Sequence, residues 1–222
     1  LKDDYNDKYE FIQNATFDKN LFDNDSFGNL NLQSNLETRN YDTNKVTNFL
    51  VNDLNWNSKD LFLDNGISSN FVGNIRNINY EAKNLDLYKN DFTNELHGAI
   101  GLISKLNLEK ESGLRKHFFT PKMLLRFAPG NMREEDSGSR LTTNTAFSID
   151  KIENMYNYES GLSATLGFDY KTKIQNKNEF DFSVAQVINE KENKKMPSKS
   201  SLDEKLSDLV GSASIKLNDK SD

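Results

Sequence analysis

The sequence predicts an all-β protein, an antiparallel up-and-down meander of about nine strands forming part of a transmembrane β-barrel. Three observations lead there. The first is the alternation between residues 158 and 171. Tyr158, Ser160, Leu162, Ala164, Leu166, Phe168 and Tyr170 share one side of an extended chain. Glu159, Gly161, Ser163, Thr165, Gly167, Asp169 and Lys171 share the other. A period of two over this length is a strand with one apolar and one wet face. The second is composition. A 28% share of charged residues, 35% hydrophobic residues and a mean hydropathy of −0.77 are poor for a compact core, yet 11% of residues are aromatic. Disordered chains lack aromatics. A barrel has a polar lumen, polar loops and one thin greasy band, so it accommodates both. The third is a second two-faced strand. Leu30, Leu32, Leu36 and Thr38 oppose Asn29, Asn31, Gln33, Asn35, Glu37 and Arg39. Burying that second face dry would cost kcal/mol for each unpaired group, whereas a water-filled lumen or open solvent costs nothing comparable.

Taken in order, the first strand runs over residues 5–17, with Tyr5, Tyr9, Phe11, Ala15 and Phe17 alternating. The segment 18–29 (DKNLFDNDSFGN) reads as a turn. The strand carrying Asn31 to Arg39 follows, and after the turn 39–45 comes a strand over residues 46–56. Residues 57–66 fit either a turn or a strand extension. Another strand covers 67–80, and the stretch 81–91 is polar. Residues 92–108 are where a helix competes, through GAIGLISKL, but two glycines within four residues weaken it and Leu96, Ile100, Leu102, Leu106 and Leu108 fit a strand. A turn at 111–117 leads to a strand over 118–127, ended by Pro129-Gly130. Strands at 158–171, 179–188 and 208–217 complete the chain, with a charged, solvated connection at 189–205. In an up-and-down barrel the connections alternate between ends and the long ones share the outer end. That favours one long outer loop over residues 129–157, with 141–149 folded over the rim rather than forming a strand. Tyr5, Tyr41, Trp56, Tyr80, Phe92, Phe118, Tyr158 and Tyr170 fall near strand ends, as rings of an interfacial aromatic girdle do.

The chemistry points away from several classes. Net charge is −6 with both signs interspersed, so there is no clustered basic footprint for nucleic acid. No cysteine is present, so disulfides and thiolate metal sites are excluded. Asp23-Asn24-Asp25 with Gly28 lacks calcium-loop spacing: Phe27 holds a ligand position and Ser34 stands where a bidentate glutamate is needed. His97 and His117 lie on or beside different strands, which suits exposed or lumen-facing side chains better than a zinc site. No GxSxG, SxxK, HExxH, P-loop or GxGxxG pattern occurs, and nothing demands catalysis, a metal or a cofactor. No apolar run approaches the length of a membrane-spanning helix. The candidate site is therefore the polar strand face, with Asn31, Gln33, Glu37, Arg39, Glu159 and Asp169 expected to line a lumen.

One resemblance sharpens this. PKMLLRFAPGNMR (Pro121–Arg133), NTAFSIDKIEN (Asn144–Asn154), ESGLSATLGFDY (Glu159–Tyr170), FSVAQVIN (Phe182–Asn189) and LSDLVGSASI (Leu206–Ile215) stand in that order. Together they resemble the barrel domain of the lipopolysaccharide (LPS)-assembly outer-membrane family, LptD, in its alphaproteobacterial form. The likeness is strong over residues 117–218 and compatible in pattern over 1–116. It implies a bacterial outer-membrane barrel that inserts LPS into the outer leaflet. It also implies an LptE-like plug lipoprotein as partner, outer-membrane lipid around the wall, and a periplasmic LPS-bridge protein docking through an upstream jelly-roll domain. On this reading residues 1–222 are one internal segment of the barrel, and the jelly-roll lies outside them. The sequence departs from the family in lacking the cysteines of some members and in placing Ala146 where a larger apolar residue is expected. No lateral-gate residue is assigned. Two alternatives stay open from the alternation alone: a general porin or receptor barrel, and a soluble secreted β-sheet adhesin. No internal repeat supports a solenoid.

Overall fold

The computed structural model describes residues 9–41, 44–85, 88–135, 138–174 and 177–216. Period-two patterning becomes strand almost everywhere: β1 (Tyr9–Asn24), β2 (Gly28–Tyr41), β3 (Val46–Asn57), β4 (Leu61–Phe62), β5 (Ile67–Lys83), β6 (Thr93–Leu106), β7 (Leu108–Ser112), β8 (Arg115–Ala128), β9 (Gly161–Ile174), β10 (Lys177–Asn189) and β11 (Val210–Ile215). All join one antiparallel sheet in the order β1-β2-β3-β5-β6-β8-β9-β10-β11, with β4 on β5 and β7 on β8. The meander is open, compatible with part of a barrel wall. Residues 93–106 form a strand, not a helix, paired along both edges.

The segment expected as a turn at 18–29 is mostly strand. β1 runs on to Asn24 through an irregularity between Asn20 and Phe22. The reversal itself is tight: the Asn24 side-chain oxygen accepts the N–H groups of Ser26 and Phe27 at 3.1 and 2.7 Å. This Asx turn needs only one asparagine, so the polar run before it was free to stay extended. Residue 5, where the first strand was expected to begin, and residue 217, where the last was expected to end, lie outside the described residues.

The two longest connections share one end of the sheet. The links at 84–92, 129–160 and 190–209 leave from one end, where Ala128 faces Gly161 and Ser163 faces Asn189. The turns at 25–27 and 113–114 lie at the other, as does the link at 58–66, which is as long as that at 84–92. Residues 129–160 form a single connection with no strand among the described residues, as the alternation of ends required. It does not fold over the rim, however. It lies across one face of the sheet, termed the inner face below. Ala146 is fully buried there, and its carbonyl accepts the Thr165 hydroxyl at 2.8 Å. The small side chain at 146 fits because the chain has come down onto the strands.

Two apolar layers form beneath these connections. Met132, Leu141, Ala146, Ile152, Met196 and Leu202 pack on Ala185 and Val187 of β10. Tyr156 packs among Phe49 and Val51 of β3 and Ile78 and Tyr80 of β5. The 189–205 segment, read from its charges as solvated, contributes buried Met196 and Leu202 to the first layer. Its lysines and glutamates point outward while its few apolar residues anchor it.

Gly167 sits where β9 and β10 approach closely. A Cβ there would lie 2.2 Å from the Val184 carbonyl oxygen and 3.1 Å from the Ala185 Cα, and backbone cannot step aside as a side chain can. Gly211 meets the neighbouring strand only at 3.6 Å, through the Ser183 oxygen. Gly167→Ala is expected to destabilise the fold by about 1–3 kcal/mol, while Gly211→Ala leaves it unchanged or slightly firmer. Urea unfolding of the two variants, followed by tyrosine and tryptophan emission, checks the contrast.

Candidate functional site: the polar inner face and its docked connection

Register fixes which residues share the inner face. Asn31, Gln33, Asn35, Glu37 and Arg39 of β2 lie beside Asn55, Asp53, Val51, Phe49 and Thr47 of β3. These in turn meet Asn74, Arg76, Ile78, Tyr80 and Ala82 of β5. Across β6 the row continues to Leu124 and Arg126 of β8, then to Thr165 and Ser163 of β9. Asp169 is on the same face of β9. So the strand residues singled out from sequence do share one face, and it is the one the chain covers with its own connection.

Apart from the two apolar layers beneath the connections, the burial of the two faces is inverted relative to a water-soluble sheet. On the inner face Thr47, Asp53, Asn74, Arg126, Ser163 and Thr165 are buried, Arg126 and Thr165 almost completely. On the outer face Leu36, Leu50, Ile75, Leu96, Ile100, Phe127, Leu162 and Leu166 are exposed, Leu96 to 70%. A sheet normally covers its apolar face and wets its polar one.

Three sets of polar ties hold the connection down. At its centre is Glu159. Its carboxylate accepts Lys151 Nζ at 3.0 Å and the Lys151 backbone N–H at 3.1 Å, and Arg126 Nη1 stands at 3.4 Å. Arg126 also donates to the carbonyls of Ile149 and Glu159. Beside it, Arg76 joins Asp53 of β3 at 2.7 Å to Asp150 of the connection at 2.8 Å, and donates to the carbonyls of Asn154 and Asn157. At the far side Tyr156 donates to Glu37 and accepts from Arg39, whose guanidinium lies 5.3 Å from the ring centre. Tyr158 is buried between Arg76 and Arg126, each within 6 Å of its ring.

Glu159 is thus inward-facing but not a strand residue. β9 begins only at Gly161, whose φ of +117° turns the chain out of the connection. Tyr158 and Glu159 are consecutive and both buried, which an alternating strand forbids. Tyr158 and Tyr80 belong to this interior rather than to an interfacial girdle, while Trp56 and Tyr170 do lie on the outer face. Asp169 pairs with Lys122 at 2.8 Å and accepts the Ser183 hydroxyl at 2.7 Å. Asn31 donates to Asp18 at 2.6 Å. Asn31 and Gln33 remain partly open, because the connection reaches β2 only at Glu37 and Arg39.

Arg76, Arg126, Asp150, Lys151 and Tyr156 were not singled out from sequence. One signal was there: Arg126 interrupts the run MLLRFA at an inward position. A single cation among apolar neighbours has to be matched somewhere. Among the described residues no group of three or more His, Asp or Glu could hold a metal ion. No described helix is long and apolar enough to cross a membrane, which says nothing about strands.

The titrating groups of the connection follow from this packing. Burial pushes the Asp150 carboxyl up, partly offset by Arg76. Burial pushes the Lys151 ammonium down, against the pull of Glu159. Burial also acts to raise Glu159, but the charges of Lys151 and Arg126 outweigh it and hold the carboxyl below its ordinary 4.5. Burial raises the Tyr156 and Tyr158 hydroxyls, and Glu37 adds to the effect at Tyr156.

A depressed carboxyl stabilises above its unfolded value and loses that contribution as pH falls through its folded value. Asp150 has the opposite sign: its raised value disfavours docking at neutral pH, and protonation relieves it. Docking of residues 141–160 is therefore expected to hold through mild acid and to loosen only below about pH 4.5. The mobility of a nitroxide on Asn144→Cys, followed by electron paramagnetic resonance, reads this directly. Loosening already at pH 6 would contradict it. Glu159→Gln, which leaves Lys151 and Arg126 buried without their counter-charge, is expected to cost about 3–5 kcal/mol of docking free energy. Limited proteolysis within 141–160 should then be faster than in the parent chain at neutral pH.

Neither protein-family models nor curated proteins give a match to this chain.

Proposed function

We propose that this chain is a segment of the wall of an outer-membrane β-barrel of the LPS-assembly kind. It works as a conduit wall and plug-binding surface that helps insert LPS into the outer leaflet, not as an enzyme. The observation that carries the wall reading is the inverted burial: an apolar face left outward and a charged, hydrogen-bonded face turned inward. Bilayer hydrocarbon is the environment in which such an outward face is stable, because strands satisfy their backbone groups laterally and only side chains meet lipid. That the two longest connections, 129–160 and 190–209, share one end supports the same reading, since outer-membrane barrels carry their longer loops on the outer side.

The LPS assignment rests on the ordered sequence blocks from Pro121 to Ile215. In that reading the inner strip left uncovered by the docked connection, with Asn31 and Gln33 beside Asp18, is the surface that meets an LptE-like plug or sugar headgroups. Its amides and carboxylates offer donors and acceptors without a large apolar contact, as a saccharide or a hydrated protein surface requires. A periplasmic bridge protein would engage through the upstream domain.

Photocrosslinkers at positions 31 and 33, compared with position 168, test this in the envelope of a Gram-negative cell producing the chain. Inner positions are expected to capture LPS or a lipoprotein, and position 168 to capture phospholipid or the lipid part of LPS alone. Membrane insertion without LPS or lipoprotein adducts from the inner positions would favour a porin-like barrel. Recovery of the chain in the soluble fraction would favour an adhesin.

A further inference from the structure

The outward apolar residues do not run straight across the sheet. One row of directly paired outward residues passes from Leu162 of β9 through Phe127, Ile100, Gly73 and Trp56 to Leu30 of β2. On β9 and β8 this row is the start of the apolar run at the long-connection end, which continues from Leu162 to Tyr170 and from Phe127 to Phe119. On β3 and β2 the same row is the finish of the run at the short-turn end. There the apolar residues lie on the other side of it, at Leu54 and Leu50 and at Leu32 and Leu36. The band therefore slides along the strands as it crosses the sheet, by roughly one to one and a half residues per strand. At about 3.4 Å per residue and ~4.8 Å between strands, that slope corresponds to about 35–45°.

This is the tilt that closing a sheet into a barrel imposes on its strands. A band that is oblique to the strands becomes level once the strands lean by that angle. From this slope we infer that the outer face contacts a lipid bilayer with its strands tilted, the hydrocarbon midplane following Leu166, Leu125 and Leu102 and passing between Leu54 and Leu50 of β3 and between Leu32 and Leu36 of β2. The inference rests on the wall reading above and adds to it the orientation and the depth of each residue. The edges of the slanted band agree with interfacial planes. Toward the short-turn end of β8–β10, Phe119, Phe168, Tyr170, Phe180 and Phe182 form a continuous set of ring contacts with centroids 5.2 to 6.3 Å apart. His117 caps it through Tyr170 at 2.8 Å. On β3, the same edge falls at Trp56, whose indole N–H reaches the Phe27 carbonyl at 2.7 Å. Rings with a polar handle at the boundary of an apolar band are what the headgroup level selects. At the opposite edge of the band on β5 and β6, Asn77, Asn79 and Asn94 are linked by hydrogen bonds of 2.6 Å.

Because the chain has no cysteine, single nitroxides can be introduced at will. The full chain, reconstituted in phosphatidylcholine vesicles, would carry them one at a time at Leu162→Cys, Ile100→Cys and Leu30→Cys along the paired row. A second set, at Leu166→Cys, Leu102→Cys and Leu32→Cys, stays close to the slanted line. Depth is read from the ratio of collision rates with oxygen and with a polar nickel chelate. The slanted set is expected to be uniformly deep. The paired row is expected to be shallow at Leu162 and Leu30, on opposite leaflets, and deeper at Ile100. Equal depth along the paired row would overturn the tilt while leaving a membrane wall in place. Water-like accessibility at all six positions would overturn both the tilt and the wall.

Discussion

Arg126 is fully buried, and the cation can be there only because the 129–160 connection lies on it. Two backbone carbonyls and the Glu159 carboxylate, itself shared with Lys151, surround the guanidinium. Without that cover the inner face of β8 and β9 would expose or strand a charge in a dry setting. With it, the inner face is occupied, and the apolar residues of the same strands have nowhere to go but outward. The inverted sheet and the docked connection are thus one arrangement. Arg76 and Tyr156 repeat the device toward β3 and β2, so a single length of chain ties most of the sheet's width.

Buried ion pairs of this sort are weak sources of net stability, but here each cation accepts few alternative partners. That suits a connection that must settle in one position over a wide, mostly polar surface. Apolar packing adds to it at two places, around Ala146 over β10 and around Tyr156 over β3 and β5. Between them the charges decide the register. The strip of β1 and β2 beyond Tyr156's reach keeps its amides available, and a proposed plug or headgroup surface is found where the chain's own cover stops.

The strands were legible because alternation survives any environment: the face with Leu162, Leu166 and Phe168 separates from the face with Ser163, Thr165 and Asp169 whichever way the sheet turns. The placement of Asn31, Gln33, Glu37, Arg39 and Asp169 on one face followed from that alone. What could not be read was the path of residues 129–160. They carry no period, and their contacts are set by partners as far away in sequence as Glu37 is from Tyr156. Glu159 was assigned to a strand because its neighbours alternate, and only the positive φ at Gly161 reveals where the strand begins. β1 was cut short for the opposite reason: its lysine and aspartates resemble a turn, yet an edge strand with exposed side chains accepts them.

The claim on which the account rests is that the outer face meets lipid, and the chain carries its own probe. Trp56 is the single tryptophan, and it lies on the outer face at the short-turn edge of the apolar band. Its fluorescence in vesicles containing brominated phospholipids measures contact with acyl chains directly. Strong quenching, greater with bromines near the headgroup than near the chain ends, is the result the account requires. Emission untouched by brominated lipid, but quenched by aqueous acrylamide as in an unfolded chain, would contradict it.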